Sequence, residues 1–121
     1  MTSIRDILED YRIELEMRMR PQLDSMIRGS IVRAQLPQVW HFVTELEETS
    51  FIFDKQGNTK VSPGKAPDPD VTVEWKHEYL SSILLTRTLE GIPPGEEPKI
   101  TVHSVKGRIG YAMMRKHLRF P

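Results

Sequence analysis

The 121-residue chain contains no cysteine, which removes disulfides, thiolate catalysis and cysteine-based zinc sites together and suits a reducing compartment. It also lacks an excess of charge, since 17 Lys and Arg balance 17 Asp and Glu. With no overall basic field, neither nucleic acid nor an anionic membrane is an expected partner of the chain as a whole. No apolar run approaches the roughly 18 residues of a membrane span, so no integral membrane segment is expected. The first twenty residues are too charged for a signal-peptide core, and Leu118-Arg119-Phe120-Pro121 is not a Ser-Lys-Leu peroxisomal address. A cytoplasmic protein is expected.

Chemistry-bearing patterns are scarce as well. His41, His77, His103 and His117 follow no metal-ligand spacing, and His77-Glu78 lacks the second histidine of a His-Glu-x-x-His zinc site. Ser81, Ser82 and Ser104 sit in no nucleophile-elbow context, while Glu47-Glu48 and Glu96-Glu97 read as solvated loops rather than an acid/base pair. No metal, cofactor or catalytic residue is expected. A small acyl-group hydrolase is retained as a minor alternative, because four histidines could meet in space.

What is present is alternation of period. Ser3 and Asp6 make an imperfect capping signal, and Ile4, Leu8, Tyr11, Leu15 and Met19 recur at gaps of three or four residues, which predicts an amphipathic helix. Pro21 predicts a break or kink. Leu23, Met26 and Ile27 would continue a second short helix, stopped by Gly29 or extended through Ile31 and Ala34. From Val39 the period falls to two: strands at Val39–Glu45 and Phe51–Phe53 flank a polar turn, Glu47-Glu48-Thr49-Ser50. Turn chemistry at Asp54–Asn58 predicts a hairpin returning through Thr59 to Val61. Pro63, Pro67 and Pro69 predict a surface loop over Ser62–Asp70.

Val71, Val73 and Trp75 predict a fourth strand. Tyr79, Leu80, Ile83, Leu84 and Thr88 share a helical face that Gly91 and Pro93-Pro94-Gly95 would end. Ile100 and Val102 predict a fifth strand. Val105, Ile109, Ala112, Met113 and Leu118 predict a last helix, weakened by Gly107 and Gly110. The expected fold is α+β: a five-stranded, mostly antiparallel or mixed sheet with helices on one side and a long N-terminal helix. One domain is expected over 1–121, with a helical segment 1–36 and a sheet-and-helix body 37–121.

The succession Val39-Trp40-His41-Phe42, Phe51-Ile52-Phe53-Asp54-Lys55-Gln56-Gly57 and Pro69-Asp70-Val71-Thr72-Val73 resembles the strands of the sterol carrier protein type 2 family. Glu78-Tyr79-Leu80 resembles the acidic start of that family's central helix. Ile100-Thr101-Val102 followed by Val105-Lys106-Gly107 resembles its last strand and glycine-started final helix. The likeness spans roughly Val39 to Leu118. Ile92-Pro93-Pro94-Gly95-Glu96-Glu97-Pro98 departs from it, as does the long, charged first helix.

The resemblance implies an apolar cavity for a sterol, fatty acid, acyl-CoA or isoprenoid lipid, and a binder or carrier rather than an enzyme. Alternation and helical faces supply the inward candidates: Trp40, Phe42, Phe51, Phe53, Val73, Trp75, Tyr79, Leu80, Ile83, Ile100, Val102, Ile109, Met113 and Met114. Lys106, Arg108, Arg115 and Lys116 make the C-terminal end basic and are the candidate headgroup contacts. The alternative is a dimerisation module of the same fold with a closed core, a homodimer forming through Ile4, Leu8, Tyr11 and Leu15.

Overall fold

The computed structural model describes residues 2–24 and 26–118, with side chains described at all of these but 22, 26–28 and 116–118. The expected contributions of Met26, Ile27, His117 and Leu118 therefore lie outside the described side chains. The elements are α1 (Ile4–Asp24), α2 (Met26–Arg33), β1 (Gln38–Val43), β2 (Glu48–Phe53), β3 (Thr59–Pro63), β4 (Val71–Glu74), α3 (His77–Thr86), β5 (Lys99–Val102) and α4 (Val105–Leu118). The sheet order is β3-β2-β1-β4-β5. β1 and β4 run parallel, and the other three pairings are antiparallel. This is the expected mixed α+β architecture.

Register makes the sheet two-faced. Trp40 lies opposite Phe51 and Val71, Phe42 opposite Val73, and Gln38 opposite Phe53, so these side chains share one face. That face carries the core. The other holds His41, Ser50, Thr72 and Thr101. The proline-bearing loop after β3 covers part of it: the Ser50 hydroxyl donates to the Gly64 carbonyl and accepts from the Ala66 N–H, both at 2.8 Å. His41 is buried here, its side chain 7% exposed, with Nε2 3.9 Å from Glu48. Burial pushes its pKa below the usual histidine value, and Nε2 has no hydrogen-bond partner among the described residues. Burial thus disfavours the charged imidazole.

Four local expectations are corrected. α1 runs through Pro21 to Asp24. Pro21 is exposed, and Leu23, two residues further on, packs over Gly57 in the β2–β3 turn, so tertiary burial outweighs the lost backbone bond. Of the two courses expected for α2, the structure takes the extension past Gly29 through Ile31, to Arg33. Thr49 and Ser50 belong to β2, not to a turn, and are buried. The turn lies just before them, where the Thr44 hydroxyl accepts the Leu46 and Glu47 N–H groups at 3.1 Å. β3 reaches Pro63, which is tolerated because β3 is an edge strand. Finally, α3 ends at Thr86, earlier than Gly91: Arg87 takes a left-handed conformation (φ 54°) and donates its N–H to Ile83 O at 2.8 Å.

The stripe on α1 has the largest consequence. Ile4, Leu8, Tyr11 and Leu15 are buried within the chain, where α1 packs on α2, α3, β2 and β3. They cannot form a dimer face as expected, because the sheet already uses them. Polar anchors hold the helix there. Ser3 caps it by accepting the Asp6 N–H at 3.0 Å. Glu16 accepts the Thr59 N–H at 2.7 Å and the Thr59 hydroxyl at 2.6 Å, which holds its carboxyl below the usual glutamate value. Arg87 pairs with Glu14 and lies over the Tyr11 ring, 4.7 Å from its centroid.

The glycines of α4 have a packing role rather than a weakening one. A Cβ on Gly107 would meet the Asp70 backbone carbonyl, and one on Gly110 would meet the Gln38 amide. Both allow α4 to lie close on the sheet. Ser104 fixes the start of the helix, accepting the Gly107 N–H at 2.9 Å and donating to Asp70 Oδ1 at 2.6 Å. The other Asp70 oxygen accepts the Val39 N–H at 2.8 Å, so one buried carboxylate joins β1, β4 and α4. Gly107→Ala, normally worth up to about 1 kcal/mol in favour of a helix, is expected to cost about 1–3 kcal/mol here. Urea melting measures it; equal or higher stability would show that α4 can move away from Asp70.

Candidate functional site

α1, α2 and α4 do not close completely over β1 and β2. Between them is a pocket of about 290 Å³. Its sheet wall is Trp40, Phe42, Phe51 and Phe53; its helical walls are Leu8, Tyr11, Leu15 and Met19 from α1, Val32 from α2, and Gly110, Met113 and Met114 from α4. Leu36 completes the apolar lining beside three polar residues, Arg18, Gln35 and Gln38. Small-molecule sites span roughly 300–1,000 Å³, so this one lies at the small end.

Two polar residues of the wall, Gln38 and Arg18, are engaged within the protein. Gln38 Nε2 donates to the carbonyls of Gln35 (2.8 Å) and Lys106 (2.7 Å), and its Oε1 accepts the Trp40 indole N–H at 3.1 Å. Trp40 is thereby fixed; it stacks on Phe42 with centroids 6.2 Å apart and packs tilted against Tyr111 at 6.1 Å. Arg18 pairs with Glu14 at 3.0 Å. Burial pushes the Tyr11 phenol well above its ordinary pKa, so it stays neutral. No serine, histidine or carboxylate is among the described lining residues. Such a wall can exclude water and hold apolar surface.

Six of the residues expected to face a cavity line this pocket: Trp40, Phe42, Phe51, Phe53, Met113 and Met114. The structure places the others elsewhere. Val73, Trp75, Leu80 and Ile83 are buried core, and Tyr79 and Ile100 are half-buried against it. Val102 is half-buried in β5, and Ile109 faces outward on α4. Lys106 bonds to the Pro37 carbonyl at 2.7 Å and approaches Asp70 at 3.7 Å, which ties its ammonium into the fold. Arg108 and Arg115 are exposed and do not line the pocket, and the Lys116 side chain lies outside the described residues.

Sequence reasoning missed the α1 contribution, although its signal was the stripe already read as apolar; only its partner was misassigned. Gln38 and Gly110 had no signal at all. Among the described histidines, His77 contacts the Thr2 carbonyl at 3.1 Å, while His103 contacts the Thr72 hydroxyl at 2.8 Å, opposite His41 on the polar sheet face. No group of three His, Asp or Glu among the described residues could hold a metal.

Comparison with solved structures shows the fold of sterol carrier protein 2 domains. The chain is similar to the ubiquinone synthesis protein UbiJ-SCP2, with a TM-score of 0.51 and 16% identity over 97% of each chain. It is equally similar to the sterol carrier protein domain 2 of Helicoverpa armigera, with a TM-score of 0.51 and 15% identity over 97% of this chain and 92% of that one. The expected fold is therefore the fold found. No protein-family profile matches the sequence. No curated protein matches it.

Proposed function

We propose that the chain, acting as one unit over 1–121, binds a small apolar ligand or the apolar part of a lipid in this pocket and serves as a cytoplasmic carrier rather than an enzyme. The observation that supports this is the lining: four aromatic or aliphatic walls from three helices and two strands, with the Gln38 amide already bonded. Removing a methylene from water contributes about 0.8 kcal/mol, so about ten of them offer useful affinity before ordering costs are subtracted. Met113 and Met114 suit such a guest, because an unbranched thioether adapts to varied shapes.

The names of the two structural neighbours suggest which ligands to try. A sterol and an isoprenoid quinone join a fatty acid and an acyl-CoA in the panel. A ligand at a hundred times its Kd that binds only the folded state raises stability by about 2.7 kcal/mol, so at least one of the four is expected to raise the melting temperature by several degrees. Native mass spectrometry of freshly purified protein would report any lipid already carried. No shift with any ligand, together with no co-purifying lipid, would remove the proposal.

A further inference from the structure

The balanced net charge hides a segregation along the chain. All seventeen acidic residues lie at or before Glu97, while six of the seventeen Lys and Arg follow it. The last strand and α4 thus carry basic charge with no acidic residue among them. On α4 that charge borders apolar surface: Val105 is 76% exposed, Ile109 39% and Met113 41%. Spaced four residues apart, they form one outward stripe. Arg108 and Arg115, both exposed, flank the stripe on one side. By contrast, the exposed Ile13 and Met17 on α1 lie among Arg12, Glu14, Glu16 and Arg18, charges of both signs.

We propose that the outer face of α4 docks the protein on an anionic lipid surface, with Val105, Ile109 and Met113 entering the acyl boundary and Arg108 and Arg115 held at the level of the phosphates. The chemistry is that of an interfacial helix: apolar insertion gives depth, and each cation near an anionic surface strengthens partition by about fivefold. Arginine stems are long enough to reach the phosphates from a helix lying in the plane. Met113 belongs to the stripe and also to the pocket lining, so docking sets one wall of the pocket against the membrane. The docking stands on α4 alone and does not depend on which ligand the pocket takes.

The test uses the full chain with vesicles of phosphatidylcholine alone or mixed with phosphatidylglycerol. Co-sedimentation is expected with the anionic vesicles and not the neutral ones, falling as salt rises. Val105→Glu and Ile109→Glu are expected to reduce it at least about tenfold, and Arg108→Glu at least about fivefold. All three sites are exposed, and circular dichroism checks that each variant is folded. Because the chain has no cysteine, Val105→Cys can carry a single environment-sensitive fluorophore. Its emission is expected to shift blue on anionic vesicles, while a label at Leu46→Cys, beyond the far end of β1, does not shift. Equal binding of the glutamate variants, equal shifts of the two labels, or no vesicle binding would overturn the proposal. So would light scattering that shows a dimer dissociated by Ile109→Glu, which would give this face to a second copy. Thermal shifts with soluble ligands remain a separate readout, so failure here and failure of the pocket reading are distinguishable.

Discussion

Leu80→Ala is expected to lower stability by about 2–5 kcal/mol while leaving ligand affinity within about threefold of the parent. Leu80 is fully buried on α3 and does not line the pocket. The truncation removes apolar contacts and leaves a hole that Ile83, Leu84 and the sheet can fill only in part. For a chain of this length each kcal/mol corresponds to roughly 3–6 °C, so the melting temperature should fall by at least about 6 °C. Calorimetry gives the first quantity, and titration with whichever lipid shifts the parent gives the second. A loss of affinity as large as the loss of stability would place Leu80 in the binding wall, as periodicity alone had it.

The second large effect has the opposite signature. Met114→Trp is expected to weaken ligand binding more than tenfold, about 1.4 kcal/mol or more, while stability changes by less than about 1.5 kcal/mol. Met114 is half-buried on the inner side of α4 and lines a pocket of about 290 Å³. A larger side chain there occupies space that is empty rather than overpacking a closed core. The indole N–H can remain at the open side, in reach of water. Unchanged affinity with unchanged stability would mean that ligand binds elsewhere. A collapse of stability would mean that no space is available, which also removes the pocket as a site. Together with Leu80→Ala this separates wall from core.

Much of the fold was legible because the relevant physics is local. Period-two alternation at Trp40, Phe42, Phe51 and Phe53 marks one face of a pleated sheet wherever the strands end up. The Asp54–Asn58 hairpin follows from turn chemistry: Asp54 accepts the N–H groups of Gln56 and Asn58 at 2.9 Å, and Gly57 takes a positive φ of 87°. The site was less legible. Leu80 and Met114 show the same helical periodicity, yet one is core and the other lines a void. The distinction depends on how closely α4 and α1 approach the sheet, and no single element encodes that.

The same limit explains the errors about α1 and α4. Ile4, Leu8, Tyr11 and Leu15 announce an apolar stripe but not what it meets. Gly107 looks like a helix weakness until Asp70, far away in sequence, is seen beneath it. Pro21 looks like a stop until Leu23 is found on Gly57. The sequence by itself determined the elements, their order and their apolar faces, because dihedral preference and side-chain period are properties of neighbouring residues. Only the tertiary structure decided that α1 covers its own sheet, that α4 sits close on two glycines, and that a pocket remains between them. Packing is a relation between distant segments, and an empty volume belongs to none of the residues around it.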